Sequence, residues 1–160
     1  MQPTLLILCL ALVPAILADL EVPLGCVEIR NRDIDRFLVS STPRDNDRRH
    51  VGYNAKAEQW YIEKDGNDYR IVHYKLGEEL IESAQTWNGN YVFTWKAKDH
   101  TINGLWKIYR AGPKTNYFII RNVKFGHCLW TKGVGGWIGA YPECYGWEFQ
   151  WQIHKFKCKK

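Results

Sequence analysis

Three Trp-x-Ile triplets set the strongest constraint on how this chain folds. Trp60-Tyr61-Ile62, Trp106-Lys107-Ile108 and Trp151-Gln152-Ile153 recur at spacings of 46 and 45 residues, and none of the other five tryptophans has Ile two places on. A second landmark keeps the same period. Ile29-Arg30-Asn31 is matched by Ile120-Arg121-Asn122, 91 residues later, and the middle copy reads Val72-His73-Tyr74. Nine residues into each copy stands an apolar residue, Leu38, Ile81 or Leu129, which precedes its tryptophan by 22, 25 and 22 residues. Two landmarks on one period define an internal repeat of about 45 residues.

Each unit reads as β-structure. Alternation with β-branched and aromatic residues marks residues 69–74, 90–95 and 117–120 as strands. Turn signals separate them: Asp65-Gly66-Asn67, Asn88-Gly89, Asn103-Gly104, Gly112-Pro113 and the glycines of residues 133–136. Residues 77–85 are helix-friendly, but the other two copies contradict a helix there. Three β repeats in so small a domain cannot form a long solenoid. They can close into a capped barrel, which removes exposed sheet edges. The sequence therefore predicts an all-β fold, a β-trefoil of three repeats, with Trp60, Trp106 and Trp151 in its core.

Residues 1–18 carry no charge, and residues 5–17 are an almost unbroken apolar run, too short to span a bilayer. The run ends at Ala15-Ile16-Leu17-Ala18 before Asp19, and reads as a secretory leader cleaved after Ala18, although it lacks an N-terminal Lys or Arg. A retained apolar strand is the alternative. Cleavage leaves one domain, residues 19–160, and removes Cys9. Cys26, Cys128, Cys144 and Cys158 remain, an even number in an exported chain, so two disulfides are expected with three pairings open. No Cys pair has zinc-ligand spacing, and neither a metal nor a cofactor is expected.

With 46% hydrophobic and 24% charged residues the chain is no disordered, collagenous or coiled-coil sequence. Its net charge of +5 gathers partly in the tail His154-Lys155-Phe156-Lys157-Cys158-Lys159-Lys160 and partly around Arg44, Arg48 and Arg49. Such patches suit an anionic glycan or a phospholipid surface; nucleic acid is not expected for an exported chain of this modest charge. No Gly-x-Ser-x-Gly, His-Glu-x-x-His or phosphate loop occurs, so the chain reads as non-catalytic.

The stretch from Cys128-Leu129-Trp130 through Tyr141-Pro142-Glu143-Cys144 to Phe149-Gln150-Trp151-Gln152-Ile153 resembles a repeat of the R-type, ricin B-like lectins. That family's repeat opens on Cys-Leu-Asp and closes on Gln-x-Trp. The resemblance covers the chain after the leader through its period and is dense only in the third repeat. The small, exported, tryptophan-rich chain also looks like the tryptophan-rich salivary proteins of blood-feeding mosquitoes. The lectin resemblance implies a Cys128–Cys144 bridge within the third repeat. The trefoil implies a Cys26–Cys158 bridge, because its first and last strands lie side by side.

The same resemblance implies a sugar site in each repeat, built from a carboxylate, an aromatic platform and an Asn three places before the closing Trp. Repeat one has Val39 and Ala57 at the polar positions and reads as lacking a site. Repeat three has Trp130 and Glu148, keeping only Tyr141 as a platform. Repeat two keeps Glu82, Trp95 and Asn103, and is expected to hold at most one working site, with Glu82 and Asn103 on hydroxyls and Trp95 stacked on the ring. The Gln of Gln-x-Trp is replaced throughout, by Glu58, Gly104 and Phe149. The expectation is a monomeric, secreted, lectin-type module for a glycan or glycoprotein. The alternative is a trefoil that has lost sugar binding. It would engage an anionic polysaccharide, a phospholipid or a host protein through Lys155, Lys157, Lys159 and Lys160 and a third-repeat surface of Trp130, Trp137, Tyr141 and Trp147.

Overall fold

Period-two burial runs through the strands, so that Trp60, Trp106 and Trp151 point inward and each takes its Ile with it two residues on, while the residue between faces outward. A computed structural model describes residues 2–4, 21–86, 89–132 and 136–159. All but residues 2–4 of the expected leader, Trp87, Asn88 of the Asn88-Gly89 turn, residues 133–135 and Lys160 lie outside the described residues.

The described residues form twelve strands: β1 (Gly25–Asn31), β2 (Phe37–Pro43), β3 (Arg48–Asn54), β4 (Trp60–Asp65), β5 (Asp68–His73), β6 (Glu79–Thr86), β7 (Asn90–Trp95), β8 (Trp106–Arg110), β9 (Phe118–Asn122), β10 (Cys128–Trp130), β11 (Gly139–Tyr141) and β12 (Trp151–Lys155). Strands β1, β12, β9, β8, β5 and β4 pair in that order, and β4 returns to β1, closing a ring. The hairpins β2–β3, β6–β7 and β10–β11 join one another through β3–β7 and β7–β11 pairing. Closure and capping leave few free edges, as expected for so many short strands.

Inside, the same contact is made three times. The indole N–H of Trp60 donates to the Leu38 carbonyl at 2.9 Å, that of Trp106 to Leu80 at 2.9 Å, and that of Trp151 to Leu129 at 3.1 Å. Each ring is fully buried with its one polar atom satisfied.

The middle copy sits one residue earlier than its sequence pattern suggests. Leu80, not Ile81, meets its tryptophan. His73 takes the place of Asn31 and Asn122: their backbone N–H groups donate to Glu78, Arg36 and His127 respectively. Asn31 Oδ1 and Asn122 Oδ1 each accept two backbone N–H groups of the following turn, and His73 Nδ1 accepts Leu76 N–H. The three turns also share a left-handed residue, Asp35, Gly77 and Gly126, with φ of 55°, 67° and 71°. The pattern misleads because β6 is buried on both faces over residues 79–83, so Leu80 and Ile81 are equally apolar. A one-residue slip on a strand exchanges its two faces.

Both bridges expected from the resemblance are present. Cys26 and Cys158 join with Cα atoms 5.3 Å apart, and Cys128 and Cys144 with Cα atoms 5.6 Å apart.

Candidate functional site

A cleft of about 890 Å³ opens beside the first repeat, between Val39 and Ser40 of β2, the segment leading into β4, and the turn after β5. Glu58 stands in its wall, two residues before Trp60. One carboxylate oxygen, Oε2, accepts the Ser40 N–H at 2.8 Å and the Ser40 hydroxyl at 2.9 Å, and lies 2.6 Å from His73 Nε2. Because His73 Nδ1 accepts Leu76 N–H, the imidazole proton falls on Nε2 and donates to Glu58. Burial pushes the Glu58 carboxyl up, but the His73 and Ser40 hydrogen bonds outweigh it and hold it below the ordinary carboxylate value. The result is an ionised carboxylate fixed in place, with Oε1 unpartnered among the described residues.

A smaller cleft of about 310 Å³ adjoins it across Tyr74 and is lined by Tyr61, Glu79, Lys98 and His100. Glu79 reaches the short 3-10 turn Ile102–Gly104, its Oε1 accepting Thr101 N–H at 3.0 Å. A Cβ at Gly104 would collide with this carboxyl, which explains a glycine where the lectin repeat has Gln.

The expected middle-repeat trio does not converge. Glu82 pairs across the hairpin with Val92, and Trp95 pairs with Glu79, so Glu82 and Trp95 face opposite sides. Glu82 is 0% exposed, with Oε1 accepting from Asn90 Nδ2 at 2.9 Å and 2.5 Å from His127 Nδ1. Asn103 Oδ1 accepts from Lys124 Nζ at 3.0 Å, and its carbonyl takes Asn122 Nδ2–H at 2.8 Å. The reason is the slip described above: with Leu80 in register, Ile81 falls where the carboxylate was expected, and Glu82 turns inward.

The third-repeat residues also part company. Trp130 packs on Tyr141 at 4.8 Å and on Phe149 at 5.9 Å, and the three rings form an aromatic plug beside the Cys128–Cys144 bridge. Trp137 stacks on His50 at 4.2 Å. Trp147 is 55% exposed and carries the Arg32 guanidinium 4.1 Å above its ring. The tail is exposed at Lys155, Lys157 and Lys159, but it is tied down. Phe156 N–H donates to the Cys26 carbonyl, and Gln59 bonds the backbone of both Lys157 and Lys159. Among the described residues no three His, Cys, Asp or Glu side chains gather as metal ligands, and no helix is long and apolar enough to cross a membrane.

No family model and no curated protein matches the chain. Among solved structures it is similar to a salivary protein of Culex quinquefasciatus from the cysteine and tryptophan-rich family. The two are 44% identical over 86% of this chain and 97% of that one, with a TM-score of 0.81. The chain belongs to the cysteine and tryptophan-rich salivary family. A second Culex quinquefasciatus member is 26% identical over 85% of this chain and 96% of that one, with a TM-score of 0.74. Likeness to a β-trefoil, BEL, at 15% identity over 86% of this chain and 97% of that one and a TM-score of 0.67, shows a trefoil-like fold.

In this salivary-family chain the repeat pattern alone does not mark Glu58, His73 and Tyr74 as cleft residues. Glu58 stands at the Gln position of Gln-x-Trp, where a carboxylate replaces an amide; His73 lies in the Val72-His73-Tyr74 landmark, but only the one-residue slip aligns it with Asn31 and Asn122. The buried Glu82 makes a separate prediction. Burial, opposed by His127 and Asn90, holds its carboxyl above the ordinary value. Between those two values the native state binds more protons than the unfolded chain, so its contribution to stability falls as pH rises through that window. Glu58 and Glu78, both held low, act oppositely and lose stability as pH falls through their depressed values. Glu82→Gln is expected to remove only the first trend. The difference in urea midpoint between variant and wild type should grow in the variant's favour as pH rises above the ordinary carboxylate value. A flat difference would refute the burial cause.

Proposed function

We propose that the protein is a secreted, non-catalytic saccharide-binding module, a β-trefoil of three repeats that holds its ligand in the first-repeat cleft. The carrying observation is the fixed Glu58 carboxylate in a concave wall, with Oε1 left to accept sugar hydroxyls. Tyr74 supplies a flat face, and Asn54 and Gln59 supply amides in the same cleft. The cleft's volume lies within the range of ordinary small-ligand sites. Export is supported by the leader-like N-terminus, the two disulfides and the kinship with salivary proteins.

Glycan-array binding by Ala57→Trp and Trp95→Ala variants tests this reading. Ala57 lines the cleft, so an indole there is expected to weaken binding by more than about tenfold while Trp95→Ala leaves it intact. The reverse pattern would move the sugar to the middle repeat, and absence of binding by the wild type would end the proposal. A second reading has its own observation: Tyr145 is 81% exposed next to the Arg32–Trp147 stack, an arrangement typical of protein-contact residues. On that reading a protein ligand would be lost with Trp147→Ala and unaffected by Ala57→Trp.

A further inference from the structure

We infer that the first-repeat cleft selects acidic saccharides, those bearing a carboxylate or sulfate, over neutral ones; this rests on the saccharide reading above. Three lysines, Lys56, Lys75 and Lys159, line this one concavity. Among the described residues none of their ammonium groups has a carboxylate within ion-pairing distance, whereas Lys107 pairs with Asp68 and Lys124 bonds the Asn103 amide oxygen. The lining also holds two acids, Glu58, kept ionised by its Ser40 and His73 hydrogen bonds, and Glu28 on β1, so three cations stand against two carboxylates. The balance of free charge facing a ligand is therefore positive.

The lysines are also placed, not merely present. Lys56 N–H donates to Asn54 Oδ1 at 3.3 Å. Lys75 follows Tyr74, whose N–H donates to the Gln59 carbonyl at 3.0 Å, in the turn closed by Gly77 N–H on the His73 carbonyl. Lys159 N–H donates to Gln59 Oε1 at 3.2 Å, and its neighbour Cys158 is bonded to Cys26. Gln59 thus organises two of the three cationic walls, Lys75 and Lys159, the second of them also tied by the long-range disulfide, and the Asn54 side chain fixes the backbone of the third, Lys56. Concave walls of low polarisability concentrate the field of such charges on a ligand inside. A flat bilayer cannot enter the concavity to meet all three, and a bare anion leaves Tyr74 and Oε1 of Glu58 unused. An acidic sugar engages every feature.

The test is calorimetric titration of the full mature chain with methyl glucuronide, methyl glucoside and a sulfated disaccharide. Inorganic sulfate and phosphatidylcholine vesicles containing phosphatidylserine serve as separate arms. The acidic sugars are expected to bind at least about tenfold more tightly than the glucoside, the discrimination that one charge-assisted contact supplies. The advantage should shrink with added salt and vanish in Lys56→Gln/Lys75→Gln/Lys159→Gln, whose exposed sites leave folding intact, as a thermal melt checks. Equal affinity for glucuronide and glucoside overturns charge selection while leaving saccharide binding standing. Binding of neither sugar overturns both. Sulfate binding as tightly as the glucuronide, vesicle binding lost in the triple variant, or an acidic preference that survives the triple variant each overturns the assignment of an acidic sugar to these lysines.

Discussion

Trp106→Ala is expected to lower the unfolding free energy by about 4–5 kcal/mol, enough to leave a domain of ordinary stability with a small folded margin. Two effects add. The indole is fully buried and packed in the main core, so its removal forfeits transfer energy and leaves a cavity that the closed ring of strands cannot readily collapse around. The Leu80 carbonyl also loses the 2.9 Å hydrogen bond that it accepts from the indole N–H. Trp106→Phe separates the two: most of the packing is kept, and the residual loss of about 1–3 kcal/mol reports the lost indole hydrogen bond and the missing ring. Trp147→Ala is the control. Trp147 is more than half exposed and its Arg32 contact is a surface cation–π pair, so about 1 kcal/mol or less is expected. Urea midpoints of the three variants check the order Trp106→Ala, Trp106→Phe, Trp147→Ala. A Trp147→Ala loss as large as that at Trp106 would place the stability of this fold outside its threefold core.

The threefold core was legible because the closing tryptophan and its Ile are fixed by strand period, and period survives when individual residues drift. Strand β7 and the turn glycines were legible for the same kind of local reason. The middle repeat was not, because β6 is covered on both sides and offers no alternation to set its register. His73 standing in for an Asn hid the other anchor. That single residue of slip also misplaced the candidate site, turning Glu82 from a ligand group into a buried partner of Asn90 and His127. The first-repeat cleft was illegible for a different reason. Its walls come from residues 28, 39–40, 54, 56–59, 73–76 and 159, and only chain closure brings the last of these to the others. The positions after the three core leucines, Val39, Ile81 and Trp130, show what became of each local environment: an open cleft floor, a covered strand and an aromatic plug.

Closure itself makes the second large prediction. Replacing Cys26 and Cys158 together by serine is expected to lower stability by about 5 kcal/mol, and replacing Cys128 and Cys144 by about 3 kcal/mol. The difference follows from sequence separations of 132 and 16 residues, since a longer closed loop removes more freedom from the unfolded chain. The folded state itself should change little, because β1 is laddered to β12 over five residue pairs and to β4 over three, independently of the sulfur bond. Near-UV circular dichroism of the Cys26→Ser/Cys158→Ser chain should therefore match the wild type below its shifted midpoint. The tail is the exception. Without the bond, the tail beyond β12 is held by the Phe156–Cys26 backbone bond and by the Gln59 bonds to Lys157 and Lys159, so the preference for an acidic sugar should weaken in this variant and persist in Cys128→Ser/Cys144→Ser. Equal stability losses in the two pairs would mean that the long loop is already constrained in the unfolded chain, with residual contacts between β1 and β12 that the disulfide no longer has to supply.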